Sequence, residues 1–134
     1  MSIQADIEAE LETLLLASIP GVVVYKGPIG GPEVEGATRV ASVRQTSGDG
    51  TRIEFGQTEW SESLSLTVHW SMTISRDVAI TEWEAFATAL LAEHTLNDNV
   101  QGLTDAWLSA TAWSEPIDSS IRTMAADINI QRVD

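Results

Sequence analysis

The sequence predicts an α+β fold: a mainly antiparallel sheet of about six strands with two helices packed on one face. Three patterns carry this expectation. Ser63 to Ser75 alternates strictly between apolar and polar residues, as a half-buried strand does. Two segments, Ile3 to Ser18 and the stretch opened by Thr81, repeat their apolar residues at helical spacing. The closing stretch from Leu96 to Asp134 holds two further alternating segments on either side of Pro116, the pattern of a hairpin. At 134 residues the chain fits one domain, residues 1–134, ordered as helix, four strands, helix and a two-strand C-terminal hairpin.

The first helix places Ile3, Ile7, Leu11, Leu14 and Leu15 on one stripe and Asp6, Glu8, Glu10 and Glu12 elsewhere. Ser2 is placed to cap it, and Pro20-Gly21 ends it. Val22 to Tyr25 follows as a short β-branched strand. Lys26 to Gly36 is rich in glycine and proline and reads as a long surface loop, ordered by a partner. It is no phosphate loop: Gly-Lys-Ser/Thr does not close it, and Gly27, Gly30 and Gly31 miss the dinucleotide spacing. Thr38 to Gln45 and Thr51 to Phe55 read as two strands joined by the turn Ser47-Gly48-Asp49-Gly50.

In the central strand Leu64, Leu66, Val68, Trp70, Met72 and Ile74 share a dry face, while Ser65, Thr67, His69, Ser71 and Thr73 share a hydroxyl-rich one. Thr81 and Glu84 have the spacing of a capping box that opens the second helix, whose stripe is Trp83, Phe86, Ala87, Leu90 and Leu91. Asn97-Asp98-Asn99 stops it. In the closing hairpin Trp107, Ser109, Thr111 and Trp113 alternate against Leu108, Ala110 and Ala112. Met124, Ala126, Ile128 and Ile130 then alternate against Thr123, Asp127, Asn129 and Gln131. Alternation alone leaves open which face of the Trp107 to Trp113 strand meets the core.

The composition excludes several kinds of function. Twenty acids against seven bases give a net charge of −13, which repels nucleic-acid backbones and anionic membranes. The absence of cysteine removes disulfides, thiolate metal sites and cysteine nucleophiles. The acidic start is unlike a signal peptide, and Pro20-Gly21 breaks the most apolar window well short of a membrane span, so no membrane partner is expected. His69 and His94 lack partners at metal-ligand spacing and read as solvated. Glu33 with Glu35, and Glu59 with Glu62, likewise read as solvated charges. No Gly-x-Ser-x-Gly elbow is present, and no catalytic residue, cofactor or metal is expected.

The tryptophans are the more informative residues. Trp70 and Trp83 fall in the core stripes, Trp60 falls in a connection, and Trp107 and Trp113 lie beside hydroxyl residues as contact-surface tryptophans do.

The layout resembles the tail terminator proteins of long-tailed bacteriophages, also called minor tail or tail completion proteins. The match covers the short acidic chain, the N-terminal helix leading to a small strand, the Gly/Pro loop, the long alternating strand and the second helix. It ends with the passage from Leu96-Asn97-Asp98 to Gly102-Leu103 that introduces two closing strands. The resemblance implies a non-enzymatic virion protein of the tail or neck, assembled in the host cytoplasm. Its subunits would form a six-fold ring that caps the tail tube, stops its polymerisation and joins tail to head. Its partners would be other copies of itself, the tube protein and head-tail connector proteins, with DNA passing through the channel without specific binding. Lys26, Ile29, Glu33, Glu35, Trp60, Trp107 and Trp113 are the expected subunit or tail and neck contacts. A neck or tail completion adaptor and a ligand-binding α+β module are the alternative readings.

Overall fold

The computed structural model describes residues 3–25, 38–54, 57–93, 96, 103–114 and 121–133. Its elements run α1 (Ile3–Ser18), β1 (Val23–Tyr25), β2 (Arg39–Glu54), β3 (Gln57–Ser71), α2 (Arg76–Ala92), β4 (Leu103–Ser114) and β5 (Ile121–Val133). The fold is α+β, with five strands rather than about six, in the order β1-β2-β3-β5-β4. β1 pairs with β2 in parallel, and every other pairing is antiparallel. The strand β4 forms one edge. At the other, β1 pairs with β2 from Val40 to Ser42, the only partner of that side of β2 among the described residues.

The missing strand is explained at the segment Ser47 to Gly50. These residues make no turn; they continue β2 and pair with Ser63, Glu62, Ser61 and Trp60 in order. Gly48 lies opposite Glu62 and Gly50 opposite Trp60, so glycine serves as the small partner of a bulky cross-strand residue. A register shift between Gln45 and Ser47 absorbs one extra residue, and the pairing of β2 with β3 runs on to Glu54 and Gln57.

One core lies between the helices and the sheet. α1 contributes Ile7, Leu11, Leu14 and Leu15, and α2 contributes Ala79, Trp83, Phe86 and Leu90. Leu64, Leu66, Val68 and Trp70 of β3 meet them, as do Ala126, Ile128 and Ile130 of β5. The helical stripes and the two strand alternations thus converge on one apolar cluster, each fully buried large side chain contributing about 1.5–3 kcal/mol. Gly21, at φ +75, makes the left-handed turn that sends the chain from α1 into β1.

The second helix begins earlier than its apparent capping box. Ser75 is the N-cap and its hydroxyl accepts from the Val78 amide at 3.3 Å, whereas Thr81 lies inside the helix and donates to the Asp77 carbonyl at 2.8 Å. Thr81-x-x-Glu84 therefore reads locally like a start, but a competent serine one and a half turns upstream takes the role. Beyond the helix, Leu96 is fully buried at φ 51, its amide donating to the Glu93 carbonyl at 2.7 Å. Burial of the side chain offsets the ~1–2 kcal/mol that a left-handed L-residue costs.

A polar clamp ties α2 to the sheet. Glu82 accepts two bonds of 2.7 Å from the Arg39 guanidinium and one of 2.9 Å from the Trp70 indole. Burial opposes ionisation of Glu82 more than any other single effect. The Arg39 and Trp70 hydrogen bonds and the Arg39 charge together outweigh it and hold the carboxyl below its ordinary range. No helix among the described residues is long and apolar enough to cross a membrane.

Candidate interaction surface

The strand β4 carries the most informative surface, and its geometry is set by one residue. Ser109 pairs with Asp127 but Ala112 pairs with Ala125, so β4 spends three steps where β5 spends two. The extra residue is a bulge at which Ala110 adopts φ 51. Because side chains alternate with a period of two, the bulge inverts the faces along the rest of the strand. Ala106 and Leu108 face the core before it, and Trp113 faces the core after it. Trp107 points the other way and is 43% exposed.

The shared face expected for Trp107 and Trp113 is therefore corrected. Trp113 is half-buried, 5.8 Å from Trp70 between ring centroids, in a tilted arrangement. Its indole nitrogen is buried and has no hydrogen-bond partner among the described residues. Nothing in the residue types of Ser109-Ala110-Thr111 marks the bulge, since positive φ there falls on alanine rather than glycine or asparagine.

Between β4 and α2 lies an apolar groove of ≈ 260 Å³ lined by Ala87, Leu90, Leu91, Ala106, Trp107 and Leu108. Leu91, expected in the core stripe, is instead 77% exposed at its rim. Leu90 already occupies the core-facing position of that turn, and the adjacent residue is rotated about 100° out of it.

The sheet face turned away from the helices is polar and internally bonded. Ser63 donates to Asn129 at 3.3 Å, Asn129 donates to the Ser109 hydroxyl at 2.7 Å, and Gln131 donates to Glu59 at 2.5 Å. His69, expected to be solvated, is half-buried, with Nδ1 2.8 Å from the Thr123 hydroxyl; burial pushes its pKa down.

The remaining expected contacts are distributed unevenly. Trp60 is not in a connection: it lies within β3, opposite Gly50 on one side and Arg132 on the other. The Arg132 guanidinium sits 5.2 Å from its ring centroid and also bonds Glu62 at 3.0 Å. Glu62 and Arg132 side chains are only 10% and 12% exposed, so Glu62 is paired rather than solvated. Sequence reasoning missed this cluster because its three members meet only through strand register. Lys26, Ile29, Glu33, Glu35 and His94 lie outside the described residues. Among those described, no group of three or more His, Asp or Glu side chains is arranged to hold a metal.

No protein-family model matches the chain, and no curated protein sequence matches it either. The fold does have a relative among solved structures. It is similar to a chain of the virion of the native gene transfer agent (GTA) particle, with a TM-score of 0.55 at 13% sequence identity. The match covers 99% of this chain and 98% of that one. The two chains share their fold from end to end.

Proposed function

We propose that this chain is a structural subunit of a phage-type virion, and specifically a tail terminator. The observation that carries the reading is the end-to-end fold match to a component of a gene transfer agent virion, a phage-like particle. In this reading copies of the chain close into a six-fold ring on the tail tube, stop its growth and present a docking face to the head. Trp107 and the α2–β4 groove supply apolar contact area, as exposed tryptophans do at interfaces. The net charge of −13 repels DNA moving through the ring and keeps it sliding rather than bound. Among the described residues the groove is lined by apolar side chains alone, which favours a protein contact over a small-molecule site.

The test is electron microscopy of tail tubes grown with and without the purified protein. Tubes that stop at a ring of this chain support the terminator role. Rings that ignore tubes but attach to head-side connector components would move the assignment to a neck adaptor. A protein that binds neither would remove the virion role.

A further inference from the structure

We infer that the edge of β4 from Asp105 to Ser109, with the groove beside it, takes an extended basic segment of another protein of the particle as a sixth strand. The inference rests on the virion reading above, which supplies the source of that segment.

The edge is exposed and unguarded. Thr104, Trp107, Ala110, Thr111, Ala112 and Ser114 of β4 are exposed, whereas β5 beside it has no exposed residue. From Asp105 to Ser109 the strand pairs with β5 residue for residue, so its outer backbone groups keep the regular alternation that a further strand can meet. Sheet edges are ordinarily blunted by proline, lysine or a bulge. This stretch has no proline and no base, and the bulge comes only after it, at Ala110.

The helix above the edge reaches past the sheet. Ala87 and Leu91 of α2 line the groove together with Ala106 and Leu108, whose side chains face the helices. Leu91 is 77% exposed, so the apolar surface of α2 is wider than the five strands beneath it. Alternate side chains of an added strand point toward the helices and enter this ≈ 260 Å³ groove. Trp107 projects from the other face of the sheet, level with Asn129, so a subunit contact through its ring does not compete for the edge.

Charge selects the occupant. Between Arg76 and Arg122 the sequence has no lysine or arginine, while Glu84, Glu93 and Asp105 border the groove's two elements. Glu84 stands on the helix row of Ala87 and Leu91, three and seven residues before them, and Asp105 precedes Trp107 by two residues on β4. Neither Glu84 nor Glu93 has an ion-pair partner among the described residues. An apolar groove with an acidic border is matched by a segment that alternates aliphatic and basic residues. A second copy of this chain is a poor source of one: it has twenty acids against seven bases, and Arg39, Arg122 and Arg132 are bonded within their own subunit.

Amide hydrogen exchange on the intact protein tests this, with a synthetic peptide of about ten residues alternating valine and lysine as the probe. The expected result is exchange slowed several-fold from Asp105 to Ser109 and unchanged in α1, with the protection lost in Leu91→Lys. Leu91 is largely exposed, so this variant should melt with the wild type. Protection that survives Leu91→Lys, or that a peptide of the same composition in shuffled order gives equally, would reduce the effect to general attraction of cations and overturn the inference. An edge already protected before any peptide is added, increasingly so at higher protein concentration, would overturn it in favour of a second copy. Protection by the alternating peptide beside uncapped tubes would leave the strand site standing and remove the terminator role. Capped tubes with β4 unprotected by the peptide would do the reverse.

Discussion

Trp107 and Trp113 stand six residues apart on the same strand and do opposite things. One reaches solvent beside an apolar groove, and the other packs on Trp70 with its indole nitrogen enclosed. The only difference between them in the backbone is the added residue at Ala110, which turns the strand over. A single insertion thus divides β4 into a half whose tryptophan packs on the core and a half whose tryptophan stays at the surface. Local residue type does not assign a tryptophan to core or interface in a sheet; its parity relative to the nearest bulge does.

The largest effect that would break this comparison lies on the shared neighbour strand. Ile128, fully buried and paired with Leu108 and Leu64, becomes an unpaired buried charge in Ile128→Asp, and the domain should lose more than about 4 kcal/mol and unfold by circular dichroism. Next comes Trp113→Ala, expected to cost about 2–3 kcal/mol in a urea titration, below the value for a fully buried tryptophan because Trp113 is only half-buried. Deleting Ala110 sharpens the comparison further. It removes the extra residue, returns Trp113 to the face of Trp107, and should destabilise the protein as much as Trp113→Ala although no large side chain is lost. A deletion that leaves the urea midpoint unchanged would show that the bulge does not set the faces.

How far the sequence discloses the fold follows the same logic. The alternations of β3 and β5 and the stripe of α1 are legible because regular backbone converts spacing into facing without further information. The Ser47 to Gly50 segment misleads because glycine permits a turn without requiring one, and the cross-strand partners Glu62 and Trp60 decide against it. Thr81-x-x-Glu84 misleads because a capping box is a local pattern that Ser75 pre-empts. The core position of Trp113 depends on a bulge at alanine, which leaves no signature, whereas Trp107, before the bulge, is exposed as its place beside hydroxyl residues suggests. The Trp60, Glu62 and Arg132 cluster depends on register between strands distant in sequence.

Acidification probes the two faces of the sheet separately, with smaller effects. Burial depresses the folded-state pKa of His69, on the face away from the helices, so the unfolded chain takes up its proton first. Stability is therefore lost as pH falls from about 6.5 through the depressed value, and His69→Gln should flatten that part of the profile. Glu82, on the helix side, is also depressed, so its contribution is present above the unfolded value of about 4.5 and disappears as pH falls below it. Glu82→Gln should flatten only this lower part. A thermal-melt series from pH 8 to pH 3 on the three proteins separates the windows; a single variant that flattens both would mean the two faces do not titrate independently.

Trp107→Ala has the smallest expected effect on the monomer, within about 0.5 kcal/mol, and the largest consequence for assembly. Sedimentation velocity of the wild type and of Trp107→Ala at matched concentrations, together with their melting curves, measures both at once. The account predicts a wild type that sediments as a closed ring and a variant that melts at the same temperature but sediments as a monomer. A variant that keeps the ring, or a wild type that is monomeric at every concentration and on tail tubes alike, would contradict it.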